Sequence, residues 1–248
     1  MIEIPSLRPE TRYGMPAADR LLFNRKYIIG YSYLFRQPRW ALELIDKDSQ
    51  MMEEAELRRL DNFREDMRIP EKFRATLEDY SGSGYDRGHL ISSADRLGRR
   101  IVNSETFLMS NMSPQAPAFN QQVWRLLEEA VRALAAKESY VEVYVISGPL
   151  FNIGDPIEVI GANQIVVPDA YFKSVLAERA SARSKASQLE IWTFALPNKG
   201  SNAPLASFLR PTEDVERWAG LGLWDRLVGV DSEALKKTTP TMWALEGD

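Results

Sequence analysis

Cysteine is absent from the 248 residues, which rules out a disulfide framework and any zinc centre held by thiolates. Histidine is almost absent: His89 is the single one. Sites built from two or more imidazoles are therefore excluded within the chain, among them the His-rich zinc hydrolases and acid–base mechanisms that use a histidine pair. What survives is chemistry with at most one imidazole and a hard cation held by oxygen ligands, Mg²⁺ or Mn²⁺. A serine-hydrolase elbow of the G-x-S-x-G type is missing too, since neither Gly82-Ser-Gly84 nor Gly30-Tyr-Ser32 satisfies it. The longest apolar run, Val141 to Phe151, is interrupted by Glu142 and Gly148 and is far too short to span a bilayer. Residues 1–12 lack a basic segment followed by an apolar stretch and contain Glu3 and Glu10, so they read as neither a signal nor a transit peptide. As written, the expectation is a cytoplasmic protein with no membrane partner, or one exported by a signal-independent route.

The composition is that of a globular protein with a full core: 44% hydrophobic and 27% charged residues. A net charge of −4 does not exclude a polyanionic ligand, because a cleft can be locally basic. Of the 31 basic residues 22 are arginine, the side chain suited to bidentate phosphate contacts, although compositional bias accounts for the bulk of them equally well.

Lys26–Tyr33 and Trp40–Ile45 read as paired strands, rich in aromatic and β-branched residues. Phe107–Asn111 reads as a short strand, and Tyr140–Ser147, Gln164–Val167, Ala170–Ala177 and Leu189–Leu196 as further ones. Asp46–Pro70 reads as a charged loop with helical turns. The clearest helix is Ala118–Ala136, with Val123, Leu126, Leu127, Ala130, Val131 and Leu134 at helical spacing. A second helix begins at Thr212, read as its cap, with acidic residues in the first turn. Strands mixed with a few helices predict an α+β fold: a single domain spanning 1–248, core about 13–230, around a mostly antiparallel central sheet with flanking helices.

The chemistry-bearing residues cluster in Asp86-Arg87-Gly88-His89, Asn111-Met-Ser-Pro-Gln115 and the segment Asn120 to Glu128. A Gly/Ser-rich turn, Ser81-Gly-Ser-Gly84, precedes the first. On a regular helix Asn120 and Glu128 lie about 80° apart around the axis and about 12 Å along it, close enough to face one groove. Arg132 follows Glu128 at i+4, where an ion pair would hold both side chains. These groups match the needs of phosphodiester hydrolysis. An imidazole, with an ordinary pKa of about 6.5, can deprotonate water near neutrality. An amide oxygen can bind Mg²⁺ while leaving its waters in place, and arginines can stabilise the crowded phosphorane.

Together these segments, with Tyr13-Gly-Met-Pro16, Arg36 to Trp40, Ser147-Gly-Pro149, Val167-Pro-Asp-Ala-Tyr-Phe-Lys173 and Gly222-Leu-Trp-Asp-Arg226, resemble the DNA/RNA non-specific endonuclease family, the ββα-metal nucleases that include endonuclease G and Serratia-type enzymes. The resemblance covers nearly the whole chain. It implies a ββα-metal motif, a Mg²⁺ (or Mn²⁺) cofactor, DNA and RNA as substrates and 5′-phosphate products. It further implies His89 as general base, Asn120 as direct metal ligand, and Glu128 as the holder of metal-bound water near the leaving oxygen. Arg87 would orient the substrate, Asp86 the local structure, and Asn111 would support the metal–water shell. Arg59 is the match for an upstream arginine contacting the transition state, with Arg58 and Arg64 as competitors, and Arg132 matches a family arginine beyond the glutamate. An inhibitor, immunity or regulatory partner and a homodimer belong to the same expectation.

Each residue also has a plainer reading. Asn120 can cap a helix, Asp86 can pair with an arginine, Glu128 can be a solvated helix residue, and Trp124 reads as core. Arg96, Arg99 and Arg100 line either a nucleic-acid groove or a solvated face. The alternatives for the whole protein are a nucleic-acid-binding module without catalysis, or a toxin or defence effector nuclease under regulation.

Overall fold

A computed structural model describes residues 8–45, 60–152, 156–180, 188–227 and 230–244. The alternation read in the sequence becomes a seven-stranded sheet. In chain order its strands are β1 (Arg20–Phe23), β2 (Tyr27–Ser32), β3 (Gln37–Ile45), β6 (Tyr140–Leu150), β9 (Ala170–Arg179), β10 (Gln188–Pro197) and β11 (Leu209–Arg210), which also lie side by side in that order. Every pairing in it is antiparallel. Two hairpins stand apart from the sheet: β4 (Asp86–His89) with β5 (Met112–Gln115), and β7 (Val159–Ile160) with β8 (Ile165–Val166).

Because successive side chains on a strand point to opposite faces, the sheet has two cores. Tyr27, Ile29 and Tyr31 of β2, with Val143, Val145, Val175 and Ala177, pack on one face against Phe119, Trp124, Leu127, Val131 and Leu134. Ile28, Leu42, Tyr144, Ile146, Leu176 and Ile191 point the other way, against Val215, Ala219, Leu223 and Trp224. The helices are α1 (Arg100–Glu105), α2 (Arg125–Ala136), α3 (Thr212–Ala219) and α4 (Val230–Lys237). The α+β architecture around an antiparallel sheet is as the sequence predicts.

Four local expectations are corrected. Phe107–Asn111 is not a strand: Met109–Asn111 is a 3-10 turn and the strand is Met112–Gln115, because the Asn111 side chain serves backbone groups outside any ladder. The predicted helix Ala118–Ala136 is α-helical only from Arg125; Phe119–Trp124 is a π-helical turn. Thr212 is not a helix cap. The cap is Pro211, and the Thr212 hydroxyl pairs with Thr193. Arg96 lines no surface at all: it is 1% exposed and hydrogen-bonded to Glu43 at 2.6 Å, whereas Arg99 and Arg100 are exposed.

Candidate active site

The β4–β5 hairpin sets Asp86 opposite Gln115, Arg87 opposite Pro114, Gly88 opposite Ser113 and His89 opposite Met112. Gly88 is required by close approach, since a Cβ there would lie 2.2 Å from the Gln115 side chain. His89 sits against the rings of Phe107 and Phe63, with centroids 5.1 and 5.6 Å away. Just beyond it, Asn111 staples the chain. Its Oδ1 accepts from Ile91 N at 3.0 Å, and its Nδ2 donates to Ile91 O and Thr106 O at 3.0 and 2.9 Å. Fully buried and committed to backbone, Asn111 fixes the loop after β4.

The π-helical turn and α2 are held against this hairpin at two points. Trp124, 1% exposed, donates from Nε1 to His89 O at 3.3 Å, so the residue read as core also ties the helix to the strand. Asp86 Oδ2 accepts from Asn120 Nδ2 at 2.8 Å and from Gln121 Nε2 at 2.9 Å. With its NH₂ group engaged there, Asn120 has Oδ1 as its remaining side-chain acceptor. The wide turn has a further consequence. It absorbs one extra residue, so the stretch from Asn120 to Glu128 sweeps like seven residues of α-helix, and their offset falls from about 80° to about 20°. Both side chains then share a face.

Glu128 and Arg132 do not pair as i+4 spacing suggests. Arg132 instead bonds Asp95 at 2.8 Å, because the 3-10 turn Ser93–Arg96 packs beside α2. Glu128 retains partial contact with solvent, but burial pushes its carboxyl up to about 7. The positive charge of Lys173 opposes that shift, Asp95 adds to it, and Arg132 opposes it. In the sequence Lys173 is simply the last residue of the segment Val167–Lys173. It is 3% exposed, donates to Ser147 Oγ at 2.8 Å and stands 4.5 Å from the centroid of the Trp124 ring. Ser147 and Lys173 are cross-strand partners, and that pairing across sequence distance is why no local spacing reveals the contact.

A raised carboxyl pKa costs stability as pH rises. The unfolded chain loses this proton near 4.5, while the folded protein keeps it until about 7, so the folded state becomes progressively less favoured between those values. Glu128→Gln should remove the effect. At pH 8 the variant is expected to be more stable than the parent by on the order of 1–3 kcal/mol, with no difference near pH 4. Thermal melts at both pH values check this. Equal stability at pH 8 would show that Glu128 is not strained by burial.

Asp61, Phe63, Glu78, Tyr80, Tyr85, Asp86, Arg87, Asn120 and Gln121 open onto one cleft of about 660 Å³. The Arg87 guanidinium lies over the Phe63 ring, 4.1 Å from its centroid. Among the described lining residues three carboxylates face one cation, so a phosphate entering here needs further positive charge. The oxygen donors at the cleft, the amides of Asn120 and Gln121 and the carboxylates of Asp61, Glu78 and Asp86, are of the hard type that Mg²⁺ or Mn²⁺ takes, and among the described residues no group of three or more His, Cys, Asp or Glu is gathered as a metal cluster. Arg59 and Arg58 lie outside the described residues. Arg64 is committed elsewhere, donating to Ser104 O at 2.9 Å and Asn62 O at 3.2 Å. The structure thus brings Asp86, Arg87 and Asn120 to one cleft, leaves His89 and Glu128 outside the residues that line it, and places Asn111 and Arg132 as braces.

An antiparallel sheet flanked by helices, with the lone histidine on a short strand whose Asp86 is bonded to Asn120 of the following helical turn, is the fold of a ββα-metal nuclease. Residues 8–229 match the family model for DNA/RNA non-specific endonuclease, and the chain belongs to that family. It is 36% identical to human mitochondrial endonuclease G over 220 residues, covering 85% of this chain and 71% of that protein. It is also 36% identical to the mitochondrial nuclease of Saccharomyces cerevisiae over 240 residues, 91% of this chain and 72% of the relative. A nuclease of Syncephalastrum racemosum is 38% identical over 229 residues, 86% and 69%. Among solved structures, the EndoG/EndoGI complex, which concerns the mechanism of EndoG inhibition, superposes with a TM-score of 0.80 at 32% identity, covering 88% of this chain and 91% of that one. Among the described residues no helix is long and apolar enough to cross a membrane.

Proposed function

We propose that this nuclease is a Mg²⁺- or Mn²⁺-dependent endonuclease that hydrolyses DNA and RNA without strong sequence preference and leaves 5′-phosphate ends. The observation that carries the reading is the Asp86–Asn120 hydrogen bond, which joins the His89 strand to the Asn120 helix at the rim of one cleft. His89 takes the proton from the attacking water. Arg87, whose guanidinium lies over the Phe63 ring, binds the phosphate. Asn120 Oδ1 would hold the divalent ion, which when bound would offset charge on the phosphate and the leaving 3′-oxygen. Glu128, on the same helical face, orients water on the leaving-group side. Asp86 fixes which atom Asn120 presents, and Asn111 and Arg132 hold the surrounding loop and helix in place. Arg59 is retained as the upstream phosphate-contacting arginine on the family resemblance alone.

Substrate breadth follows from the groups available. Arg87, the cation among the described residues that line the cleft, contacts the phosphate backbone without reading bases. Double-stranded DNA, single-stranded DNA and RNA are all expected to be cut, with binding weakening as salt rises. A digest panel across the three substrates checks this, and a sharp consensus or refusal of one sugar type would overturn it.

Restraint is part of the same proposal. EndoG is seen in complex with EndoGI, and an active enzyme of this breadth would degrade its host's chromosome, so an inhibitor or regulatory partner is assigned here as well. Expression in a bacterial cytosol should be toxic for the parent and harmless for His89→Ala. Full activity in vitro combined with harmlessness at high cytosolic level would count against any need for restraint.

A further inference from the structure

Six charged side chains from four elements meet beside α2. They are Glu43 of β3, Asp95 and Arg96 of the 3-10 turn, Glu128 and Arg132 of α2, and Lys173 of β9. Asp95, Arg132 and Lys173 act electrostatically on both Glu43 and Glu128, and Arg96 acts on Glu43. Glu43, Asp95, Arg96 and Lys173 are each at most 3% exposed. Two opposite pairs are in contact: Arg96 with Glu43 at 2.6 Å and Arg132 with Asp95 at 2.8 Å. That leaves Lys173 and Glu128.

These two do not bond to each other. The Lys173 ammonium donates to Ser147 Oγ at 2.8 Å and lies 4.5 Å from the centroid of the Trp124 ring. Among the described residues it touches no carboxylate. Trp124 has helical backbone angles at the cap of α2, four residues ahead of Glu128, so the two side chains share a face. Helical side chains lean toward the N-terminus, which sends Glu128 back toward the turn of Trp124, where the ammonium sits. A hydroxyl and a π-face hold that ammonium in place without neutralising it. The other two cations of the cluster are already paired, so Lys173 supplies the uncommitted positive charge.

We propose that Lys173 is a positioning residue for hydrolysis: its buried ammonium, seated on Trp124, is the counter-charge that keeps Glu128 in the carboxylate form that accepts from water on the leaving-group side. The proposal rests on the nuclease reading above and adds a residue that acts through Glu128. It also gives the burial of Lys173 a purpose, since an ammonium taken out of water needs an opposite charge near it.

The test follows the Glu128 carboxyl directly. Full-length protein labelled with ¹³C at its glutamate carboxyl groups is titrated by NMR in excess chelator, and the Glu128 signal is the one missing from Glu128→Gln. Its midpoint in the parent is expected near 7. Lys173→Met removes the charge. Lys173→Gln does the same while still able to bond Ser147, and it replaces the methionine variant if that one does not fold. Either should raise the midpoint by about one pH unit or more, and Lys173→Arg should hold it near the parent value. An unmoved midpoint in a folded neutral variant overturns the proposal, and so does an equal rise in Lys173→Arg. Hydrolysis with Mg²⁺ is scored separately. The neutral variants should lose about 3- to 10-fold in kcat at pH 7 and regain most of it at about pH 9, whereas a loss equal at every pH would mean a packing defect and overturn the role. If the parent cuts no nucleic acid, the nuclease reading fails by itself, and the titration still decides whether Lys173 sets the charge of Glu128.

Discussion

Replacing His89 by alanine is expected to lower the rate of DNA hydrolysis by about 10²–10⁴-fold, the usual cost of losing a general base, while the protein stays folded. No other imidazole exists in the chain to take over the proton. The fold should tolerate the change because the strand pairing and the bond from Trp124 use the backbone of His89, and alanine gives up the ring's contacts with Phe63 and Phe107. His89 keeps its register opposite Met112, and Trp124 bonds its carbonyl oxygen rather than its ring. Plasmid hydrolysis measured alongside a thermal melt checks both halves. A folded variant with an undiminished rate would remove His89 from the mechanism.

Asn120→Ala should be nearly as severe, and for a different reason. The alanine variant loses the amide oxygen assigned to the metal, so activity should fall steeply and the Mg²⁺ concentration needed for half-maximal rate should rise. Asp86→Asn is the informative companion. An amide there can offer its NH₂ group as well as its oxygen, so Asn120 is no longer held in one orientation. Loss of such an orienting partner typically costs about 10- to 100-fold in metal affinity or activity. A Mg²⁺ titration of rate for parent and both variants checks the order. If Asn120→Ala leaves the metal requirement unchanged, the ligand lies elsewhere.

What the sequence disclosed was set by local spacing. Alternation in Lys26–Tyr33 and Tyr140–Ser147 announces strands that the structure contains, and the Asp-Arg-Gly-His run is a strand whose neighbours in space are those of the family motif. What stayed hidden depends on partners far along the chain. Nothing near Arg96 says that it is buried, because its partner Glu43 sits on β3. Helical spacing assigned Arg132 to Glu128, but Asp95, from a turn packed beside the helix, takes it instead. The π-helical turn escaped notice because its residues carry the same apolar pattern as an α-helix, yet it is what brings Asn120 and Glu128 onto one face. Lys173 was visible only as one letter of a motif, and its contacts with Ser147 and Trp124 exist only once the sheet has formed.

In the proposed mechanism one histidine and one divalent ion, held on neighbouring strand and helix, cut nucleic acid. Supercoiled plasmid and a long RNA, each incubated with the purified protein in Mg²⁺ and again in Mg²⁺ with excess chelator, test it most directly. Cleavage of both in Mg²⁺ and of neither in chelator is the predicted result. Undiminished cleavage in chelator, or no cleavage with Mg²⁺ or Mn²⁺, would contradict it.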